Sequence, residues 1–143
     1  MELSGSYVFN APADRVWAAL MNPAVLSKCL PGVESLEAVA EAEYAATLRV
    51  GVGPIRGRYN ARIWLKDLQP HSSYSLALEG TGSLGFANGS ARIALTEQAG
   101  DTTVNIQGEA QVGGTIARVG QRMMGSVAQG MLDRFIACVR ESV

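Results

Sequence analysis

The chain has 143 residues, with 12 Lys and Arg against 13 Asp and Glu and a net charge of −1. Apolar residues make up 48% and charged residues 17%, a globular composition that excludes disorder, and the length fits a single domain over residues 1–143. A near-neutral balance argues against a dedicated nucleic-acid binder, and no apolar run approaches the roughly 20 residues of a membrane-spanning helix.

Leu3, Gly5, Tyr7 and Phe9 alternate with Ser4, Ser6 and Val8, which predicts a strand. Pro12 then opens a helix, because its missing N–H costs nothing in a first turn, and Asp14 suits the positive end of the helix dipole. Val16, Trp17 and Leu20 form its buried stripe, and Asn22-Pro23 ends it. A second short helix over Ala24 to Cys29 stops at Pro31-Gly32. Strands follow over Val33 to Val39, Tyr44 to Val52, Ile55 to Leu65, Tyr74 to Gly80, Phe86 to Glu97 and Thr102 to Val112, a meander of antiparallel hairpins. From Thr115 the apolar period changes to 3.6: Ile116, Gly120, Met123, Val127, Met131, Phe135 and Cys138 share one stripe of a helix that runs nearly to Val143. The expected class is α+β, a curved antiparallel sheet wrapped around a C-terminal helix.

The positions that alternation turns inward are small: Ala46, Gly57, Ala61, Gly80, Ala87, Gly89, Ala91, Gly108 and Ala110. The final helix carries Gly120, Gly125 and Gly130, each costing up to about 1 kcal/mol relative to alanine. Either the helix packs closely on the sheet, or small residues leave space. A Gly- and Ala-lined sheet faced by pliable methionines favours a ligand cavity. Its expected lining is Tyr44, Gly53, Pro54, Tyr59, Ala61, Leu76, Leu78, Phe86, Ala91, Ile106, Gly120, Met123, Met124 and Val127. Tyr44, Tyr59 and Tyr74 are the expected inward polar groups, each with a hydroxyl that needs a partner. A wall without charges suits a lipophilic ligand.

Other motifs carry less. Gly80-Thr81-Gly82-Ser83-Leu84-Gly85 matches G-x-G-x-x-G, but an alternating segment follows where a dinucleotide site needs a helix. Cys29 and Cys138 are far apart and read as free thiols, as in the cytosol; Cys29 is a structural thiol rather than a nucleophile served by His71, the one histidine. No metal-ligand spacing and no paired carboxylates stand out, so no metal, cofactor or catalytic residue is expected. Arg49, Arg56, Arg58, Arg62 and Lys66 fall between Glu43 and Asp67 with no acid among them. Arg56, Arg58, Arg62 and Trp64 share one strand face, either solvated or a docking surface for an acidic partner or anionic headgroups. Glu34, Glu37, Glu41 and Glu43 read as a separate, solvated acidic patch.

Ala11-Pro12-Ala13-Asp14-Arg15-Val16-Trp17 followed by Pro31-Gly32-Val33-Glu34 resembles the opening of the helix-grip, START-like (SRPBCC) superfamily. Four segments resemble the carbon monoxide dehydrogenase G-subunit (CoxG) family: Leu30 to Leu36, Val52 to Tyr59, Gly85 to Ala91 and Ala110 to Ala117. The resemblance implies a seven-stranded sheet gripping the last helix over an apolar cavity, with Gly51 to Pro54 and Gly80 to Phe86 flanking its mouth. It implies an accessory protein of molybdenum hydroxylases of the carbon monoxide dehydrogenase type, concerned with recruiting that enzyme to the membrane and handling its quinone acceptor. Many relatives continue past the grip helix into a C-terminal tail; this sequence ends at Val143, which predicts a cytoplasmic carrier or adaptor, at most peripheral at the inner face of the membrane. The expectation is a non-enzymatic carrier of a quinone or other isoprenoid lipid. The alternatives are an adaptor that docks through the arginine face, and a helix-grip cyclase or hydrolase.

Overall fold

A computed structural model describes residues 1–51 and 56–143. Strand β1 (Glu2–Phe9) leads into helices α1 (Ala13–Met21) and α2 (Pro23–Cys29). Strands β2 (Val33–Ala40), β3 (Glu43–Val50), β4 (Gly57–Gln69), β5 (Ser73–Gly82), β6 (Gly85–Gln98) and β7 (Asp101–Gly113) follow, then a 3-10 turn (Thr115–Val119) and helix α3 (Gln121–Glu141). One seven-stranded antiparallel sheet runs in the order β1-β7-β6-β5-β4-β3-β2, so β1 closes the meander by pairing with the last strand. A strand, not a helix, follows the glycine-rich turn between β5 and β6.

Local chemistry sets the helix starts. Pro12 sits at the N-cap of α1, and the first N–H of that helix, on Ala13, donates to Glu97 Oε1 at 2.6 Å. Asn22 ends α1 and caps α2, its side chain accepting from the Ala24 N–H at 2.9 Å. Gly32 has φ +79, and a Cβ there would collide with the Arg49 carbonyl, so the chain reaches β2 only through glycine. The fully buried Thr102 donates its hydroxyl to the Ala11 carbonyl at 2.7 Å and fastens the α1 entry to β7.

Two expectations are corrected. The last helix does not begin at Thr115. Residues Thr115–Val119 form a 3-10 turn, Gly120 takes φ +92, and α3 starts at Gln121. The 3.6-residue stripe crosses this break because Ile116 is buried within the turn itself. The cysteines are not free: Cys29, at the end of α2, is joined to Cys138 of α3 by a disulfide, with Cα atoms 5.3 Å apart. Cys29 is therefore no nucleophile.

The core gathers at one end of the grip. Phe9, Val16, Trp17 and Leu20 pack there with Ile93, Leu95, Val104 and the α3 residues Ile136 and Val139. Arg140 completes the seal, its guanidinium 5.4 Å from the Phe9 ring centroid and its Nε donating to the Val8 carbonyl at 3.2 Å. Arg134 is exposed and donates to the Gly130 carbonyl one turn back, at 3.4 Å.

Candidate functional site

Burial falls along the concave face in the same direction on neighbouring strands. On β6, Leu95 and Ile93 are buried, while Ala91, Gly89 and Ala87 are half-buried. On β7, Val104 and Ile106 are buried, then Gly108, Ala110 and Val112 are half-buried. On β5, Tyr74 is buried and Leu76 and Leu78 are half-buried. The register joins these into one patch: Leu76 pairs with Ala91 and Ala91 with Gly108, and Leu78 pairs with Gly89 and Gly89 with Ala110.

Helix α3 matches this gradient. It has no buried residue before Ile136, and Met124, Val127, Met131 and Leu132 are half-buried. A Cβ added at Gly125 or Gly130 would meet nothing within 4 Å, so close packing does not explain those glycines. A cleft of about 490 Å³ opens at this end, lined by Met1, Phe86, Ala110, Val112, Gly120 and Met124 among others. The first half of α3 thus stands over apolar sheet surface that it does not seal.

Within the expected lining, Tyr44, Ala61 and Ile106 are buried in the inner layer. Leu76, Leu78, Ala91, Met124 and Val127 lie in the half-buried zone, and Tyr59 is half-buried at the start of β4. Gly53 and Pro54 lie outside the described residues. Three positions are corrected. Phe86 is 43% exposed, because it alternates onto the outer face with Asn88, Ser90 and Arg92 and reaches only the rim of the cleft. Met123 is 49% exposed, because α3 starts later than its apolar stripe suggests and Met124 takes the inward side. Gly120 is the exposed N-cap of α3 rather than a helical residue on the sheet.

Tyr7 is a fourth tyrosine with a polar role, missed as such because the strand alternation marked it only as apolar core. A Cβ at Gly5 would strike the Tyr7 ring, so this glycine is where the ring lies along β1. Its hydroxyl donates to Asp133 Oδ1 at 2.8 Å and accepts from Gln129 Nε2 at 3.3 Å. Burial, and then the Asp133 carboxylate, push its pKa up to about 12. Burial alone raises the pKa values of Tyr59 and Tyr74.

Arg49, Arg58 and Arg62 pair with acids that the sequence set apart from them. Arg58 forms a two-pronged pair with Glu34, at 3.1 and 3.3 Å, with Arg49 at 3.8 Å from the same carboxylate. Arg62 donates to Glu43 Oε2 at 2.7 Å, and Trp64 Nε1 donates to Glu43 Oε1 at 2.7 Å. Trp64 is half-buried rather than exposed. Strand pairing makes this contact: Glu43 is the register partner of Trp64, two residues from Arg62 on the same face of β4. Arg56 donates to the Gly51 carbonyl at 3.4 Å. Among the described residues, no group of three or more His, Cys, Asp or Glu could hold a metal ion.

A seven-stranded antiparallel sheet closed on a long C-terminal helix, with two short helices after the first strand, is a START-like fold. A START superfamily protein from Mycobacterium smegmatis superposes with a TM-score of 0.76 at 9% identity, over 99% of this chain and 96% of that one. A Thermus thermophilus protein does so with a TM-score of 0.72 at 15% identity, over 99% and 95%. Within that class the chain belongs to the carbon monoxide dehydrogenase G-subunit (CoxG) family, which it matches over residues 5–143. A conserved protein from Geobacillus kaustophilus is 35% identical, with a TM-score of 0.96 over 99% of this chain and 94% of that one. No curated protein matches the chain.

Proposed function

We propose that the chain carries a lipophilic small molecule, a quinone or other isoprenoid, between the concave sheet face and the first half of α3. It acts as a non-catalytic accessory to a carbon monoxide dehydrogenase-type molybdenum hydroxylase. The family supports the accessory role and the partner class. The observation that carries the binding role is the half-buried patch around Leu76, Leu78 and Ala91, beneath a helix segment with no buried residue. Apolar surface left that open loses about 25 cal/mol per Å² that a ligand would restore. Native mass spectrometry of protein from its own source, followed by organic extraction, tests the reading. An isoprenoid should co-purify. Ala91→Phe, which fills the middle of the patch, should abolish its retention while the protein stays folded. Retention at the level of the unaltered chain would remove the site.

A docking role is supported by a second observation, at a different place from the arginine face. Phe86 and Met123 are exposed at the cleft end, Arg118 and Arg122 are exposed near Met123 in sequence, and no acid occurs between Glu109 and Asp133. Exposed apolar side chains among cations suit the anionic inner surface of a membrane. No helix among the described residues is long and apolar enough to cross one. Arg118→Glu with Arg122→Glu should lower co-sedimentation with phosphatidylglycerol vesicles, and salt should lower it too. Arg58→Glu with Arg62→Glu should matter less. The reverse ranking would return the surface to the β4 arginines.

A further inference from the structure

We propose that the Cys29–Cys138 bond is a redox latch: a dithiol reductant opens it, and the first half of α3 is then freer to lift and release what lies beneath. The effect on cargo rests on the carrier reading; the motion of the helix does not. Helix α3 packs against α2 and β1. Its links to β1 are hydrogen bonds, from Tyr7 to Asp133 and from Arg140 to the Val8 carbonyl. Its link to α2 is covalent. The two buried residues of α3, Ile136 and Val139, bracket Cys138, and no residue before them in the helix is buried. While the bond holds, the Cα atoms of Cys29 and Cys138 stay 5.3 Å apart, and Leu26 and Cys29 anchor α2 in the core. The helix therefore cannot part from α2. Once the bond opens, only non-covalent contacts remain, and the segment with the fewest buried contacts opens most readily. That segment is the one over the half-buried patch.

The two half-cystines differ in access. Cys29 is 4% exposed. Cys138 is half-buried, with the exposed Arg134, Ala137 and Glu141 near it on the helix. A thiolate of the reductant attacks Sγ of Cys138; the S–S bond breaks and its electron pair leaves on Sγ of Cys29. The second thiolate of the reductant then attacks the reductant's own sulfur in the mixed disulfide and expels Sγ of Cys138. The two protons given up by the dithiol end on the two cysteines, so the protein gains two electrons and the reductant becomes a disulfide. Reducing compartments supply such dithiols, and oxidising ones keep the bond closed.

Hydrogen exchange and release of farnesol, an isoprenoid that dithiothreitol does not reduce, test this on the oxidised and the dithiothreitol-treated protein. A plain stabilising cross-link would, when cut, speed exchange in the sheet as much as in α3. The latch predicts an excess: the amides from Met124 to Leu132 should accelerate about ten-fold more than those of β6 and β7. Farnesol should leave about ten-fold faster, at a temperature where near-ultraviolet circular dichroism shows the reduced protein folded. Cys29→Ser with Cys138→Ser should reproduce the reduced state and ignore dithiothreitol. Equal acceleration in helix and sheet, or none in the helix, overturns the latch and leaves the carrier reading standing. Unchanged farnesol release despite a freed helix overturns the effect on cargo. If neither form holds farnesol and no lipid co-purifies, the carrier reading fails, and the exchange data alone decide the latch.

Discussion

Cys29 and Cys138 are separated by 109 residues in sequence and bonded to each other in the fold, tying the end of α2 to the last turns of α3. The bond lies beside Val139, which is fully buried, and away from the half of α3 that no core residue holds. The gripping helix is thus fastened at one end.

Closing a loop of this length restricts the unfolded chain by an amount worth about 4–5 kcal/mol in the chain-entropy account, and removing a native disulfide typically costs 2–5 kcal/mol. Cys138→Ala should accordingly lower unfolding stability by about 2–5 kcal/mol. Denaturant titrations with and without reductant are the check. An unaltered midpoint on reduction, or free thiols titrating in the untreated protein, would exclude the bond.

The one-ended anchoring of α3 predicts an uneven mutational profile. Ile136→Ala should cost about 2–5 kcal/mol, because it opens a cavity in sealed core. Val127→Ala, on the half-buried segment, should cost under about 1 kcal/mol. Equal losses at the two positions would mean that the first half of α3 is packed after all.

Gly125 and Gly130 sit inside a helix with room for a methyl group. Each Gly→Ala change should raise stability by about 0.4–1 kcal/mol through backbone entropy and helix propensity. Thermal melts of the two single variants and the double variant would show it. A loss in either would reveal a contact that these glycines protect.

The tyrosines set an alkaline limit. Tyr7 titrates near 12 in the folded chain, above its ordinary value of 10.0, and Tyr59 and Tyr74 are also raised by burial. A raised folded value means the unfolded chain loses its protons first. Their stability is complete below about pH 10 and falls as pH climbs from there toward 12. Unfolding midpoints across that window, with tyrosinate absorbance as the titration signal, should show the fall. Tyr7→Phe should flatten it. A flat profile in the unaltered protein would contradict the burial of these rings.

Most of the architecture was legible from the sequence, because period and punctuation are local. Alternation from Tyr44 to Val112 specified the strands, the Asn22-Pro23 break separated the two short helices, and the inward tally of Gly and Ala marked the concave face. The site was legible only in outline. Leu76, Leu78, Ala91, Met124 and Val127 fall in the half-buried zone, but Phe86 and Met123 do not: Phe86 breaks the alternation that turns Ala87, Gly89 and Ala91 inward, and the face of Met123 depends on where α3 begins.

Tertiary structure alone decided the rest, and in each case the reason is distance along the chain. Cys29 meets Cys138, Tyr7 meets Asp133, and Glu34 and Glu43 meet the arginines of β4 only after helices pack and strands pair. Local patterning carries no information about such partners, so the sequence showed an arginine face and two thiols where the fold has ion pairs and a cross-link. The buried contacts of α3 likewise gather at Ile136 and Val139 beside Cys138, while a Cβ at Gly125 or Gly130 would meet nothing within 4 Å, because packing is decided by what the fold brings to each face and not by the glycines along the helix.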